Sequence, residues 1–190
     1  PATLSNIQVQ KKNSTRYSLF ANEQFLIGIS ESTYSKFNLE KGQLISPSLF
    51  EEIVTAENKW AVRDYIFRIL ARRDHSRKEL KDKAYKKGYS GTYVAEILDE
   101  FTQKGYIDDS KFARQFAAEK FELNHWGPYK IRAHLLKKGI QKTEAEQALQ
   151  QVFGDNELLE SMITLIRKKR KRYLREPKNK RKKKIFDFLM

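Results

Sequence analysis

The chain has 190 residues, 38 Lys and Arg against 24 Asp and Glu, a formal net charge of +14, and no cysteine. The missing thiols exclude disulfide staples and thiolate metal sites. No run approaches the roughly 18 apolar residues of a membrane helix, and Pro1 to Lys12 has no apolar core of the kind a secretion signal carries. A cytoplasmic chain with no membrane contact is expected, and 39% hydrophobic residues suffice for a folded core.

The positive charge is concentrated at one end. Between Ser161 and Met190 stand 13 Lys or Arg against two acids, Glu176 and Asp187, a balance of +11, which leaves +3 for the rest of the chain. Such a bias favours a polyanionic partner, DNA, RNA or a nucleoprotein filament, with a solvated basic tail as the plainer alternative.

The first thirty residues alternate as strands do. Ile7 and Val9, Tyr17 and Leu19, then Phe25, Ile27 and Ile29 form three runs separated at Asn13-Ser14 and Asn22-Glu23, which predicts a small antiparallel meander. A short helix is predicted over Ser32 to Leu39 and broken at Gly42. A capping box of Ser48 with Glu51 starts another helix, expected to close the N-terminal segment near Ala56.

From Ala56 the period changes to about 3.6. Amphipathic stripes follow at Trp60, Ile66, Ile69 and Leu70, at Val94, Ile97, Leu98 and Phe101, at Phe112, Phe116, Ala117 and Phe121, at Ala145, Ala148, Leu149 and Val152, and at Leu159, Met162, Ile163 and Ile166. Each is read as a core-facing stripe. Lys87-Gly88-Tyr89, Lys104-Gly105-Tyr106 and Lys138-Gly139-Ile140 place glycine where a helix stops, with an apolar residue positioned to fold back on the last turn. Phe101 and Leu135 have the right offset to receive Tyr106 and Ile140. Ser76 with Glu79, Thr143 with Glu146, and Asp108 or Asp109 mark starts.

Superposing Lys87-Gly88 on Lys138-Gly139 gives an offset of about fifty residues that also places Leu80 on Ile131 and Leu98 on Leu149, an internal repeat. The expected architecture is mainly α: tandem three-helix repeats in an elongated curved array, after a small N-terminal β-meander and helix segment. The expected divisions are 1–55, a first repeat at 56–108, a second at 109–155, and an incomplete basic third repeat at 156–190. In that third repeat Asn156 to Leu174 is the long first helix and Lys184 to Met190 begins the second. The sequence ends before its third helix, which points to a longer natural chain or to missing residues.

Three stretches carry a family likeness. LARRDHSRKELKDKAYKKG, Leu70 to Gly88, has an arginine-flanked serine, Glu-Leu and a basic helix ending at glycine. GYIDDSKFARQF runs from Gly105 to Phe116, and GPYKIRAHLLKKGI from Gly127 to Ile140. Together they resemble the RecX family over about Trp60 to Phe153, with the first sixty residues matching only loosely and Ala84-Tyr85 departing from the family's usual leucine. The resemblance implies a non-enzymatic monomer that binds the RecA filament on DNA and alters strand exchange, filament growth and ATP turnover, with no cofactor. Two other readings compete with it, a helix-turn-helix DNA-binding protein without RecA involvement and an RNA-associated structural protein.

Chemical constellations are sparse. The eight glycines form no phosphate-cradling pattern. His75, His125 and His134 are not paired at metal-ligand spacing, and Asp108-Asp109 reads as a helix start before it reads as a divalent-ion site. No catalytic, cofactor-binding or metal residues are expected. The candidate filament or DNA contacts lie on the basic second helices and the third repeat. They are Arg72, Arg73, Lys78, Lys81, Lys86 and Lys87, then Lys130, Arg132, Lys137 and Lys138, then Arg167, Lys168, Lys169, Arg170, Lys171 and Arg172. Lys81, Arg132 and the Arg167 to Arg172 run occupy successive repeats and are expected on one face, with Lys180 to Lys184 adding further charge.

Overall fold

The computed structural model describes residues 2–154, 163–164 and 166–189. Its chain divides into two compact units, Pro1–Ala71 with Ala84–Ile97, and Arg72–Lys83 with Leu98–Met190.

In the first unit, β1 (Ala2–Gln10), β2 (Asn13–Ala21) and β3 (Gln24–Ser30) form the predicted meander. A short β4 (Leu44–Ile45), which the sequence pattern did not announce, pairs antiparallel with β1 and gives the order β3-β2-β1-β4. The β2–β3 turn falls on Asn22 and Glu23, both at positive φ (48° and 65°), a backbone that matches strand twist in a two-residue hairpin. The β1–β2 turn falls on Lys11-Lys12, just before the expected Asn13-Ser14. A register shift between Leu4 and Asn6 accompanies Ser5, whose hydroxyl donates to the Phe20 carbonyl (3.2 Å) and accepts from the Glu23 N–H (2.9 Å). Such a bulge changes which residues point inward. Leu4, Leu19 and Ile29 are buried with Leu39, Ile45 and Ile53, whereas Val9 and Phe25 are exposed.

Helix α1 (Glu31–Phe37) is capped by Ser30, whose hydroxyl accepts from the Thr33 N–H, and it ends at Asn38 in the left-handed conformation. Helix α2 (Pro47–Leu70) starts two residues before the expected box: Ser46 is the N-cap, accepting from the Leu49 N–H, and Pro47 sits in the first turn. Proline there lacks only an N–H that had no helical partner. No glycine or further proline interrupts the next 23 residues, so α2 continues past Ala56 to Leu70. The carboxylate of Glu57 anchors this unit. Its Oε2 accepts from the Ser30 N–H (2.8 Å), the Ser30 hydroxyl (3.0 Å) and the Thr33 hydroxyl (2.9 Å), and its Oε1 pairs with Arg16 at 2.9 Å.

The helical repeat is plain in the element bounds. Helices α3 (Arg77–Lys86), α4 (Gly91–Gln103), α5 (Asp109–Glu122), α6 (Pro128–Lys137) and α7 (Lys142–Phe153) follow, with α3 and α4 reappearing 51 residues later as α6 and α7. Leu80, Ala84, Val94 and Ile97 match Ile131, Leu135, Ala145 and Ala148, and all eight are buried. On the same offset Val62 and Ile66 of α2 match Ala113 and Ala117 of α5, again all buried. Three-helix units therefore recur in tandem. The second unit's core joins Phe112, Ala113, Ala117, Ile131, Leu135, Ile140, Ala145, Ala148, Leu149 and Phe153.

The three Lys-Gly stops share one geometry. Gly88, Gly105 and Gly139 have φ of 89°, 73° and 84°. The following N–H groups, of Tyr89, Tyr106 and Ile140, donate to the carbonyls of Ala84, Phe101 and Leu135 at 3.2, 2.9 and 3.1 Å. This is the six-to-one closure of a Schellman ending, and Tyr106 packs edge-on against Phe101 at 5.3 Å. Helix α7 corrects the Thr143–Glu146 start: Gln141 is the N-cap, in a box with Glu144.

The segment expected to form a third repeat differs from expectation in its described part. Leu159 and Met162 lie outside the described residues. A turn at Lys169 interrupts the expected long helix before α8 (Arg170–Leu174), and α9 (Lys178–Leu189) begins six residues before the expected Lys184. Among the described residues no strand follows Ile45, and no helix is long and apolar enough to cross a membrane.

Candidate nucleic-acid interface

Two of the candidate residues, Lys86 and Lys87, are exposed in the first unit; the other fourteen belong to the second. Several of those fourteen are tied into the protein itself. Ser76 and Glu79 form the predicted capping box at α3, with the Glu79 N–H donating to the Ser76 hydroxyl (3.2 Å) and the Ser76 N–H donating to Glu79 (3.4 Å). The Ser76 hydroxyl also donates to the Lys138 carbonyl at 2.7 Å, and the Lys78 ammonium donates to the Lys137 carbonyl at 3.0 Å. The Lys138 ammonium meets Glu79, which Arg73 approaches at 3.4 Å. The start of α3 is thereby fastened to the end of α6. Burial works to raise the Glu79 pKa, but the hydrogen bond and charge of Lys138, with Arg73, outweigh it and hold the carboxyl below its ordinary value.

Asp108 and Asp109 cap two different helices. Asp108 accepts from the Lys111 N–H at the start of α5, while Asp109 accepts from the Arg77 N–H at the start of α3, both at 2.8 Å. Burial, acting against that bond, raises the Asp109 pKa. Among the described residues no three His, Asp or Glu side chains converge as a metal site. His75 is buried with its Nδ1 2.9 Å from the Arg73 carbonyl, and desolvation lowers its pKa.

Arg132 is not the open surface cation expected from its register. It is half-buried, pairs with Glu146 at 2.7 Å and lies over the Tyr129 ring at 5.3 Å. Arg72, Lys81 and Lys137 are exposed. Arg167, Lys168, Arg170, Lys171 and Arg172 are exposed as well, with Lys169 half-buried among them. Burial first, then the charges of Arg172 and Lys130, lower the Lys169 pKa.

Around α6, the candidate lysines Lys130 and Lys138 meet aromatic side chains. Lys130 lies 4.2 Å from the centre of the Trp126 ring, and Lys120 lies over Phe116 (5.3 Å) and Trp126 (5.8 Å). Lys138 lies over Phe112 (5.7 Å) and Phe116 (5.3 Å), and Trp126 packs against His134 at 4.6 Å. Burial, followed by the charges of Lys130, Lys137, Lys138 and Lys120, lowers the His134 pKa and favours the neutral ring. Trp126 reaches this place because His125 takes a left-handed backbone (φ 52°) and the Trp126 N–H returns to the Lys120 carbonyl at 3.0 Å. A signal was available in the four-residue spacing of Phe112, Phe116 and Lys120 on α5, and of Lys130, His134 and Lys138 on α6, which stacks each set along one side of its helix.

Comparison with known proteins matches three family models in chain order. The regulatory protein RecX N-terminal domain covers residues 2–46, the first RecX three-helix domain 63–101, and the second 108–149. Regulatory protein RecX of Lactobacillus delbrueckii subsp. bulgaricus is 31% identical over 151 residues, 80% of this chain and 55% of that protein. Its counterpart in Clostridioides difficile strain 630 is 26% identical over 186 residues, 98% of this chain and 87% of that protein. The chain spans about half the length of the first of these. A crystal structure of regulatory protein RecX is similar at a TM-score of 0.79 and 25% identity, covering 100% of this chain and 92% of that one. RecX from Lactobacillus salivarius is similar at 0.60 and 25%, covering 70% and 86%. With the N-terminal and both three-helix models matched in order, on a fold whose second and third helices repeat at 51 residues, the chain belongs to the RecX family.

Proposed function

We propose that this chain is a non-enzymatic, cytoplasmic regulator that binds the RecA filament on DNA and modulates strand exchange, filament growth and ATP turnover. The observation that carries the reading is the set of exposed cations, Lys130 and Lys137 on α6 and Arg167, Lys168, Arg170, Lys171 and Arg172 beyond the repeats, on a chain of the RecX type. A positively charged surface of this kind accelerates encounter with a polyanion and holds it by releasing counterions. Small helical units in tandem suit a filament, because each presents its own contact surface while resting mainly on its neighbours.

Binding needs no cofactor and no membrane, and a monomer suffices. The test is DNA-dependent ATP hydrolysis by the cognate RecA, titrated with this protein. A change in rate at stoichiometric amounts is expected; an unchanged rate, with the protein folded and in excess, refutes the reading. Strong preference for one duplex sequence in RecA's absence would instead favour a helix-turn-helix mode.

A further inference from the structure

A cavity of about 530 Å³ beside α5 and α6 is lined by Phe112, Phe116 and Trp126, by the cations Arg73, Lys120 and Lys138 with His134, and by the carboxylates of Asp74 and Glu119. Its walls are neither an apolar core nor an ordinary charged surface. Phe116 and Trp126 are half-buried, meeting edge to face at 6.4 Å, and the lysines reach across their rings. Four lysine charges act on His134 from both helices. Like charges at four-residue spacing, as in Lys130, His134 and Lys138, weaken an isolated helix when the imidazole is charged. The acids at this wall are engaged: Glu119 pairs with Lys120 at 2.6 Å, Asp74 with Lys111 at 3.2 Å and Glu79 with Lys138, while the Lys130 ammonium rests on the Trp126 face and Arg73 adds a further cation to the lining.

An occupant must therefore bring negative charge and a flat surface together. A carboxylate side chain supplies the first without the second. A nucleotide supplies both, phosphate for the lysines and a base for the rings. A duplex does not fit the description, since its bases already stack on both faces and its grooves are entered by protruding elements, not received by a concave wall. Aromatic platforms beside lysines are the general means of holding unpaired bases. A lysine lying on a ring is also easily exchanged, because cation–π contacts at accessible sites are weak.

We propose that this cavity receives one unstacked base of a single-stranded nucleic acid against Trp126 and Phe116, with the adjoining phosphates held by Lys120 and Lys130. The site deepens the function proposed above and rests on it for nucleic acid as the partner. Entry of the base moves the Lys130 ammonium from the indole to a phosphate. The neutral His134 ring beside Trp126 offers one donor and one acceptor to the base edge.

The chain has two tryptophans, so Trp60→Phe makes Trp126 the sole indole reporter. Titrating that variant with a short oligothymidylate should quench its fluorescence to saturation, while a duplex of equal length should quench it far less. Trp126→Leu, followed by anisotropy of a labelled oligonucleotide, should weaken binding on the order of tenfold. Lys130→Gln should lower the salt slope of log K by about 0.7, the share of one single-strand phosphate no longer neutralised. Trp126→Phe keeps a ring and should retain most of the affinity, which separates stacking from a folding defect. Equal quenching by duplex, stronger competition by polyglutamate than by oligothymidylate, or unchanged affinity in a folded Trp126→Leu would each overturn the proposal. Oligonucleotide quenching without any effect on RecA would leave the pocket standing and sink the regulatory reading. RecA modulation with unaltered oligonucleotide binding in Trp126→Leu would do the reverse.

Discussion

Glu57 shows how much one side chain decides in this fold. It is buried, yet one oxygen accepts three hydrogen bonds from Ser30 and Thr33 and the other faces Arg16. Removing it leaves the Ser30 N–H and the Thr33 hydroxyl desolvated without that acceptor, and the Ser30 hydroxyl with only the Thr33 oxygen at 3.0 Å, which costs more than the bonds contribute in net terms. Glu57→Ala should therefore destabilise the protein by about 2–3 kcal/mol, the Arg16 share being small because that side chain is partly solvated. Urea denaturation checks this, and a loss below about 0.5 kcal/mol would show the network to be dispensable. The glycine stops offer a finer comparison. An alanine Cβ at Gly105 meets nothing within 4 Å, so Gly105→Ala should cost only the left-handed backbone, about 1–2 kcal/mol. At Gly139 the same Cβ falls 2.7 Å from the Lys78 Cβ, which cannot swing away without moving α3. Gly139→Ala should lower the urea midpoint distinctly more than Gly105→Ala, and equal losses would mean that α3 shifts freely against α6.

At the scale of elements, helix ends were legible where the signal was a backbone requirement and misplaced where it was a side-chain preference. Positive φ after a helix admits glycine with little competition, and Gly88, Gly105 and Gly139 all occupy it. An N-cap can be chosen from several nearby residues of similar chemistry. Ser48 has Glu51 three residues on and Ser46 has only the Leu49 N–H, yet Ser46 is the cap, with Pro47 in the first turn. Gln141 is a poorer cap by type than Thr143, yet it is the one that closes its box with Glu144. The aromatic and lysine cavity was hidden for a different reason: its lining comes from α5, from the loop at Trp126, from His134 of α6 with the cap residue Lys138, and from Arg73 and Asp74 before α3, and each part alone resembles a core stripe or a solvated face. The joint of α3 with α6 also arises only in three dimensions, and it makes a pH prediction. Because Lys138 and Arg73 keep the folded Glu79 pKa below its unfolded value near 4.3, the carboxylate contributes stability above that value. The contribution is lost as pH falls through the folded pKa. Glu79→Gln should thus be less stable than the parent near pH 7, with the gap narrowing towards pH 3 in denaturation titrations. A gap that stays constant across that range would assign Glu79's effect to packing alone.

For the molecule as a whole, the 51-residue repeat and the basic bias pull in different directions. The repeat places similar buried residues in successive units, and its signal is strong because core positions admit few side chains. Surface charge has no such constraint. Lys81 is matched in sequence by Arg132, but Lys81 is exposed whereas Arg132 is half-buried, so equivalence of register does not give equivalence of role. The net charge of +11 in the last thirty residues is likewise only partly available to a partner. In α9 the Arg181 guanidinium donates to the Glu176 and Leu174 carbonyls, and Lys184 pairs with Glu176. Lys180, Lys182 and Lys183 are exposed on the same helix.

Those three lysines allow the electrostatic part of the function to be separated from the fold. Exposed substitutions away from structural contacts usually change stability by less than about 0.5 kcal/mol, so replacing Lys180, Lys182 and Lys183 by glutamine should leave the melting curve nearly unchanged. Every duplex phosphate that is no longer neutralised should reduce the slope of log K against log salt by about 0.9. A helix turns through 100° per residue, so Lys180 and Lys183 lie closer to one side than Lys182 does, and a single duplex can engage only some of the three. The combined variant should therefore show a slope shallower by about one to two units, with binding weakened most at low salt, where each released counterion gains the most free energy. Anisotropy of a labelled duplex over a range of salt measures this directly. An unchanged slope in a protein that melts like the parent would place the polyanion-binding residues elsewhere, on α6 and the Arg167–Arg172 run, and would leave the lysines of α9 as solvated charge.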